Sequence, residues 1–133
     1  MSARRLEGKV AIVTGAGQGI GAGIAEIFAY HGAKVMIATR TRANGEETLA
    51  RISDAGGDAA LTAIDIGSKE ACRRVIDETV AKWGRLNIVV HNAASFLGGP
   101  VETYSEDDLE TVLSVNLKAC FRLSAAAIPH LRA

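Results

Sequence analysis

Between an apolar run at residues 10–13 and a helical repeat that begins at Gly19, every second position from Gly15 to Gly23 is glycine. That arrangement leaves few folds open. A short continuous apolar run stopping at Thr14 fits a strand buried on both faces, as in parallel sheets. Ile20, Ile24, Ile27 and Phe28 then recur at helical spacing until Gly32 ends the helix. The glycines therefore form the turn joining a buried strand directly to a helix. Glycine permits positive φ and lets an anion approach the backbone, while the first helical amides donate to the anion and the helix dipole favours its charge. A dinucleotide pyrophosphate is the natural occupant. Tight strand-to-helix packing is the competing use of the same glycines.

The alternation continues along the chain. Lys34–Thr39 predicts a second buried strand, and the charged segment 42–55, with a thin apolar stripe at Leu49 and Ile52, predicts an exposed helix closed by Gly56 and Gly57. A third strand is expected at 59–64. Ser68 can cap a helix whose face is Cys72, Val75, Ile76, Thr79, Val80 and Trp83, with Gly84 ending it. Residues 86–90 read as a fourth strand, and a loop through Gly98, Gly99 and Pro100 leads to a capping box at 105–108. The last helix carries Leu109, Val112, Leu113, Leu117, Cys120 and Phe121 and runs through Ile128 to Pro129. Such alternation implies a parallel sheet with right-handed crossovers and helices on both faces. The expected class is α/β, a Rossmann-type doubly wound sheet of about four strands, incomplete because no fifth strand follows.

The totals narrow the partners. At 133 residues the chain is one domain's worth or part of one, with fifteen basic and fifteen acidic residues in balance. Neither a nucleic acid nor a membrane surface is favoured, and a small neutral or anionic ligand is expected. Cys72 and Cys120 stand far apart and outside any CxxC spacing, which fits a reducing compartment. Both fall on helix stripes and read as core. The N-terminal apolar run is too short for a signal-peptide core, and no apolar stretch reads as long enough to span a bilayer. These readings place the chain in the cytoplasm. His31, His91 and His130 share no metal-ligand spacing, so no metal site is expected.

At the end of the second strand, an acid would bind the two ribose hydroxyls of NAD and repel the extra phosphate of NADP. Neither Thr39 nor Arg40 is acidic. Arg40 can pair with a 2′-phosphate, with Arg42 as a second candidate, so NADP is the expected cofactor and NAD the alternative. Asn116 lies on the stripe between Leu113 and Cys120, where an unpaired amide would cost about 1 to 3 kcal/mol. It needs a partner, and from spacing alone a core amide bonded to a neighbouring strand is one reading.

The pattern Thr14-Gly15-x-x-x-Gly19-x-Gly21, then Asp65-Ile66, His91-Asn92-Ala93-Ala94 and Ser-Val-Asn116-Leu resembles, in order, the short-chain dehydrogenase/reductase family over nearly the whole chain. The resemblance implies a cofactor held by Gly15, Gln18, Gly19, Ile20 and Gly21, by Asp65 and Ile66 at the adenine, and by Asn92, Ala93 and Ala94. The family's fourth-strand motif is Asn-Asn-Ala-Gly, from which His91 and Ala94 depart. Asn116 would be the first member of the catalytic tetrad, interrupting its helix and holding a water in a proton relay. A serine, a tyrosine and a lysine should follow, and none stands at the expected place. Tyr30-x-x-x-Lys34 has the spacing, but Gly32 breaks the helix between them; Tyr104 is read as structural.

Residues 1–133 therefore read as a single nucleotide-binding domain stopping before the catalytic serine and tyrosine. The parent would be an NADP-dependent oxidoreductase interconverting an alcohol and a carbonyl, the 133 residues alone not being catalytically competent. A non-catalytic dinucleotide-binding or protein-interaction module is the alternative. The resemblance also implies a dimer or tetramer formed through the helix near Asn116. By the same analogy the fourth strand lacks one neighbour, leaving an edge at 88–90 prone to pair with another chain.

Overall fold

The computed structural model describes residues 4–133, so the first three residues of the N-terminal reading lie outside it. Strands β1 (Val10–Thr14), β2 (Lys34–Thr39), β3 (Asp58–Ala63) and β4 (Ile88–Val90) form one parallel sheet in the order β3-β2-β1-β4. Helices α1 (Gly19–Tyr30), α2 (Arg42–Asp54) and α3 (Lys69–Trp83) make the crossovers. After β4 come a 3-10 turn (Val101–Thr103) and a helical run of α4 (Glu106–Leu113), a π-turn (Ser114–Lys118) and α5 (Ala119–Leu131). The chain steps outward from β1 to β3 and then crosses to the other side of β1, so the order reverses between β1 and β4. This is an incomplete Rossmann-type fold.

Alternation along the strands divides the core between two layers. Ile12 and Met36 pack with Cys72, Val75, Ile76 and Leu123 under α3 and α5. On the opposite face Val13, Val35 and Ile37 pack with Ala25, Ala29 and Ile52 under α1 and α2. Glycines end two helices as expected: Gly84, at φ +75°, caps α3, and Gly32, at φ +95°, turns the chain after α1. Ser68 Oγ accepts from the Ala71 amide and Ser105 Oγ from the Asp108 amide, so both predicted N-caps form.

The structure corrects several expectations. The fourth strand is shorter than 86–90, because the Asn87 side chain accepts the Val10 amide at 2.9 Å and stands in for the first rung of the ladder. Leu86 is buried but lies outside the ladder. The third strand begins one residue earlier than 59–64, at Asp58. On α1 the buried face is Gly21, Ala22, Ala25 and Ala29, while Ile20 is 78% exposed and Ile27 half exposed. Small residues let α1 approach the sheet closely, and the larger isoleucines flank that contact.

The last helical run differs most. The π-turn changes its phase, so Ala119, Leu123 and Ala127 enter the core while Leu117 and Phe121 are 63% and 79% exposed. Cys72 is buried as expected, whereas Cys120 is only half-buried. Because α4, the π-turn and α5 are continuous, Glu106–Leu131 forms a 26-residue helix long and apolar enough by composition to cross a membrane, contrary to the sequence reading. Its inner face nevertheless packs on α3 and the sheet.

β4 pairs only with β1, through Ala11↔Ile88 to Val13↔Val90, and its outer edge carries no partner strand among the described residues. Open backbone groups beside half-buried apolar side chains favour association. Expressed alone, the 133-residue chain should therefore sediment above 13.9 kDa. A monomeric, cooperatively melting chain would contradict this.

Candidate functional site

The carboxyl ends of all four strands meet at one edge of the sheet, around a groove of about 390 Å³. Gly15, Gln18, Gly19 and Ile20 line it from the β1 turn, Thr39, Arg40, Thr41 and Asn44 from the β2 end, Ile64, Asp65 and Ile66 from the β3 end. The β4 loop contributes Asn92 through Phe96, and Val115 comes from the π-turn. Ten of the eleven residues expected to hold a cofactor therefore line one groove. Gly21 does not. It lies beneath the turn, where a Cβ would sit 2.2 Å from the Gly15 carbonyl oxygen and 2.4 Å from Asn92 Nδ2. Its contribution is to let α1 pack under the loop.

The turn itself fits an anion. Gly15 and Gly19 have φ of +66° and +57°, and the Cβ position of Gly19 faces open space. The first intrahelical bond of α1 runs from the Ala22 amide to the Gln18 carbonyl at 3.2 Å. Gln18 makes no side-chain cap and no acid occupies the first turn, so the earliest helical amides are available to a ligand.

One buried hydroxyl ties this turn to its neighbour. Thr14 Oγ1 donates to the Val90 carbonyl at 3.3 Å and accepts the amides of Asn92 and Ala93, each at 3.0 Å. Asn92 Nδ2 then donates to the Gly15 carbonyl at 3.3 Å. The β4 loop is thereby held over the glycine turn. Sequence reasoning quoted Thr14 only as part of a motif; a polar residue ending an otherwise apolar strand was the available signal. Thr41, Asn44 and Val115 also line the groove without any sequence signal, because their approach depends on the crossovers.

Arg40 is exposed beside Thr39 and Thr41, and none of the three is acidic. Asp65 is exposed and uses Oδ1 to accept the Gly67 amide at 2.9 Å. Asn116 is exposed rather than buried, because the π-turn moves it off the core stripe. Both ends of its amide are bonded all the same: Oδ1 accepts the Ser95 amide at 2.7 Å and Nδ2 donates to the Ser95 carbonyl at 3.0 Å. The partner is the loop after β4 rather than a strand. Glu110 Oε1 accepts from Lys118 Nζ at 2.5 Å and from Ser114 Oγ at 3.0 Å, bracketing the π-turn. Lys118, and next Ser114, hold the Glu110 carboxyl below its ordinary pKa.

The remaining candidates are structural. Tyr104 donates its hydroxyl to the Leu97 carbonyl and pins its own loop, and exposed Tyr30 lies outside the groove. Burial raises the pKa of Cys72, whose thiol donates to the Ile66 carbonyl, so it is a poor nucleophile. His91 Nε2 lies 3.2 Å from Ser124 Oγ, and desolvation lowers its pKa. No cluster of metal-ligating side chains occurs among the described residues. A larger hollow of about 520 Å³ lies between α1 and α2, away from the strand ends, and its charged Arg51 and Glu26 pair with each other.

The family model described as short chain dehydrogenase matches residues 9–133. The chain belongs to the short-chain dehydrogenase family. A short-chain dehydrogenase/reductase of Arabidopsis thaliana is 39% identical over 129 residues, covering 96% of this chain and 51% of the relative. Versicolorin reductase of Emericella nidulans is 38% identical over 129 residues, covering 96% of this chain and 49% of the relative. The chain thus spans about half the length of the curated relatives it matches. A solved metagenomic short-chain oxidoreductase in complex with NADP superposes with TM-score 0.91 at 35% identity, covering 95% of this chain and 57% of that one. A short chain dehydrogenase of Burkholderia cenocepacia in complex with NADP gives 0.91 at 36% identity, covering 96% and 52%.

Two substitutions test the architecture. Thr14→Val keeps the volume but strands two partly buried amides, and should lower stability by about 1 to 3 kcal/mol in denaturant unfolding, with Thr14→Ser losing clearly less. Asn116→Ala should speed hydrogen exchange at the Ser95 amide by about tenfold, reflecting one lost hydrogen bond.

Proposed function

We propose that the groove binds NADP and that these residues form the nucleotide-binding domain of a longer oxidoreductase interconverting an alcohol and a carbonyl. The observation that carries the cofactor reading is the β2 end, where Thr39, Arg40 and Thr41 offer a guanidinium and hydroxyls without a carboxylate. A 2′-phosphate would pair there with Arg40, whereas an acid would repel it. The pyrophosphate would lie on the turn 15–19 against the α1 amides, and the adenine near Asp65 and Ile66, across from Arg40. The β4 loop at Asn92, Ala93 and Ala94 would form the wall leading towards the reactive end.

The nicotinamide, when bound, supplies or accepts a hydride. This chain's own residues bind and orient it and exclude water from one side. Asn116, hydrogen-bonded to the backbone amide and carbonyl of Ser95, which itself lines the groove, is the proposed first catalytic residue. The proton-transferring tyrosine, its lysine partner and the serine would come from a continuing chain. The reductase relatives and the NADP-complexed structures support this reading of the reaction and the cofactor. A cytoplasmic protein is proposed, and assembly as a dimer or tetramer through the exposed Leu117 and Phe121 face.

Titration by cofactor fluorescence tests the cofactor reading. NADPH should bind more tightly than NADH, and Arg40→Glu should weaken NADPH by about tenfold or more while leaving NADH unchanged or improved. Equal affinities in the wild type, or no effect of Arg40→Glu on their ratio, would contradict it.

A further inference from the structure

We infer that Arg122 is a positioning residue for the β3 wall of the groove, acting through Gly67 on Asp65; this rests on the reading of the groove as a dinucleotide site. Four hydrogen bonds hold the loop that leaves β3. The Ser68 amide donates back to the Asp65 carbonyl at 3.4 Å, the Cys72 thiol donates to the Ile66 carbonyl at 3.3 Å, and the Gly67 amide donates to Asp65 Oδ1 at 2.9 Å. These three are local to the loop and the start of α3. The fourth comes from α5, 55 positions further along the chain, where Arg122 Nη1 donates to the Gly67 carbonyl at 3.2 Å.

Polarity leaves this chain of contacts only one sense. A guanidinium and a backbone N–H donate, whereas a carbonyl and a carboxylate accept. Arg122 is half-buried and its neighbour Leu123 is wholly buried, so the guanidinium reaches out from a helix fixed in the core. Gly67 also lies against the π-turn: a Cβ there would stand 3.3 Å from Val115 Cγ2 and 3.2 Å from Asp65 Oδ1. Its missing side chain thus lets the loop approach the helical run closely enough for Arg122 to bond it. Asp65 lines the groove, and with Oδ1 bonded to the Gly67 amide, Oδ2 is the oxygen left for a ligand amino group. Holding Gly67 from both sides therefore fixes how the carboxylate is offered, an ordering that binding would otherwise have to supply. Thr14 ties the β4 loop to the glycine turn, and Arg122 ties the β3 loop to the helix that continues from Asn116.

Calorimetric titration of the 133-residue chain tests this, with 5′-AMP as the first probe because it carries adenine and ribose without nicotinamide or 2′-phosphate. Arg122→Met keeps the long apolar stem and removes the donor. It should weaken 5′-AMP, NADH and NADPH by one common factor of about five, leave the NADPH-to-NADH ratio unchanged, and speed hydrogen exchange across 65–68. Arg122→Lys, which restores a donor, should bring 5′-AMP binding back to within about twofold of wild type. Gly67→Ala, which pushes the loop off Val115 and leaves the guanidinium in place, should weaken 5′-AMP as well. In an Asp65→Ala background, Arg122→Met should cost 5′-AMP no more than about twofold further. Unchanged 5′-AMP affinity in Arg122→Met, or the same fivefold loss with and without the Asp65 side chain, would overturn the inference. A wild type that fails to bind 5′-AMP would overturn the dinucleotide reading and this inference with it, whereas a wild type preferring NADH would overturn the NADP reading and leave the role of Arg122 standing.

Discussion

The Thr14 hydroxyl is the point from which the site hangs. It ends a strand that is otherwise wholly apolar and buried, so its own polarity has to be satisfied inside the protein. The nearest groups are the last carbonyl of β4 and the two amides that follow β4. Joining them draws the β4 loop across the β1 turn at the place where strand order reverses. The groove exists because two neighbouring strands send their chains to opposite faces, and Thr14 fixes how far apart those chains stand. Gly21 completes the junction from below, since any side chain there would push α1 away from the Gly15 carbonyl and Asn92.

A second junction depends on helix geometry. In an unbroken α-helix Asn116 would share the face of Leu113 and Cys120. The π-turn inserts one residue per turn, which delivers Asn116 to the loop at Ser95 and delivers Ala119, Leu123 and Ala127 to the core. Glu110 reaches across the interruption to Ser114 and Lys118. Both charged groups are largely solvated, so this bracket organises the turn more than it stabilises the fold. The same phase change leaves Leu117 and Phe121 facing outward.

Much of this was legible before any coordinates. Strand and helix order, and a parallel sheet, followed from apolar runs alternating with helical repeats. Gly15, Gly19, Asp65 and Asn92 could be placed at one edge because they follow the strands directly. Burial was harder to read on the helices. On α1 the larger Ile20 and Ile27 drew the apolar stripe, but close packing selected Ala22, Ala25 and Ala29. On the last helix the apolar period by itself misplaced Asn116, whereas the family resemblance implied an interrupted helix there, as the π-turn shows. Contacts such as Asn44 with Gln18 join residues 26 positions apart through side chains alone, and no local pattern signals them.

The central claim is that one groove, built by four strand-end loops, receives a dinucleotide. Hydrogen exchange with and without saturating NADPH tests it most directly. Protection concentrated in the segments 15–21, 38–45, 64–67 and 91–96, with the outer surfaces of α1 and α2 unchanged, is the predicted footprint. Protection centred on the hollow between α1 and α2, or no protection at the glycine turn, would contradict the account.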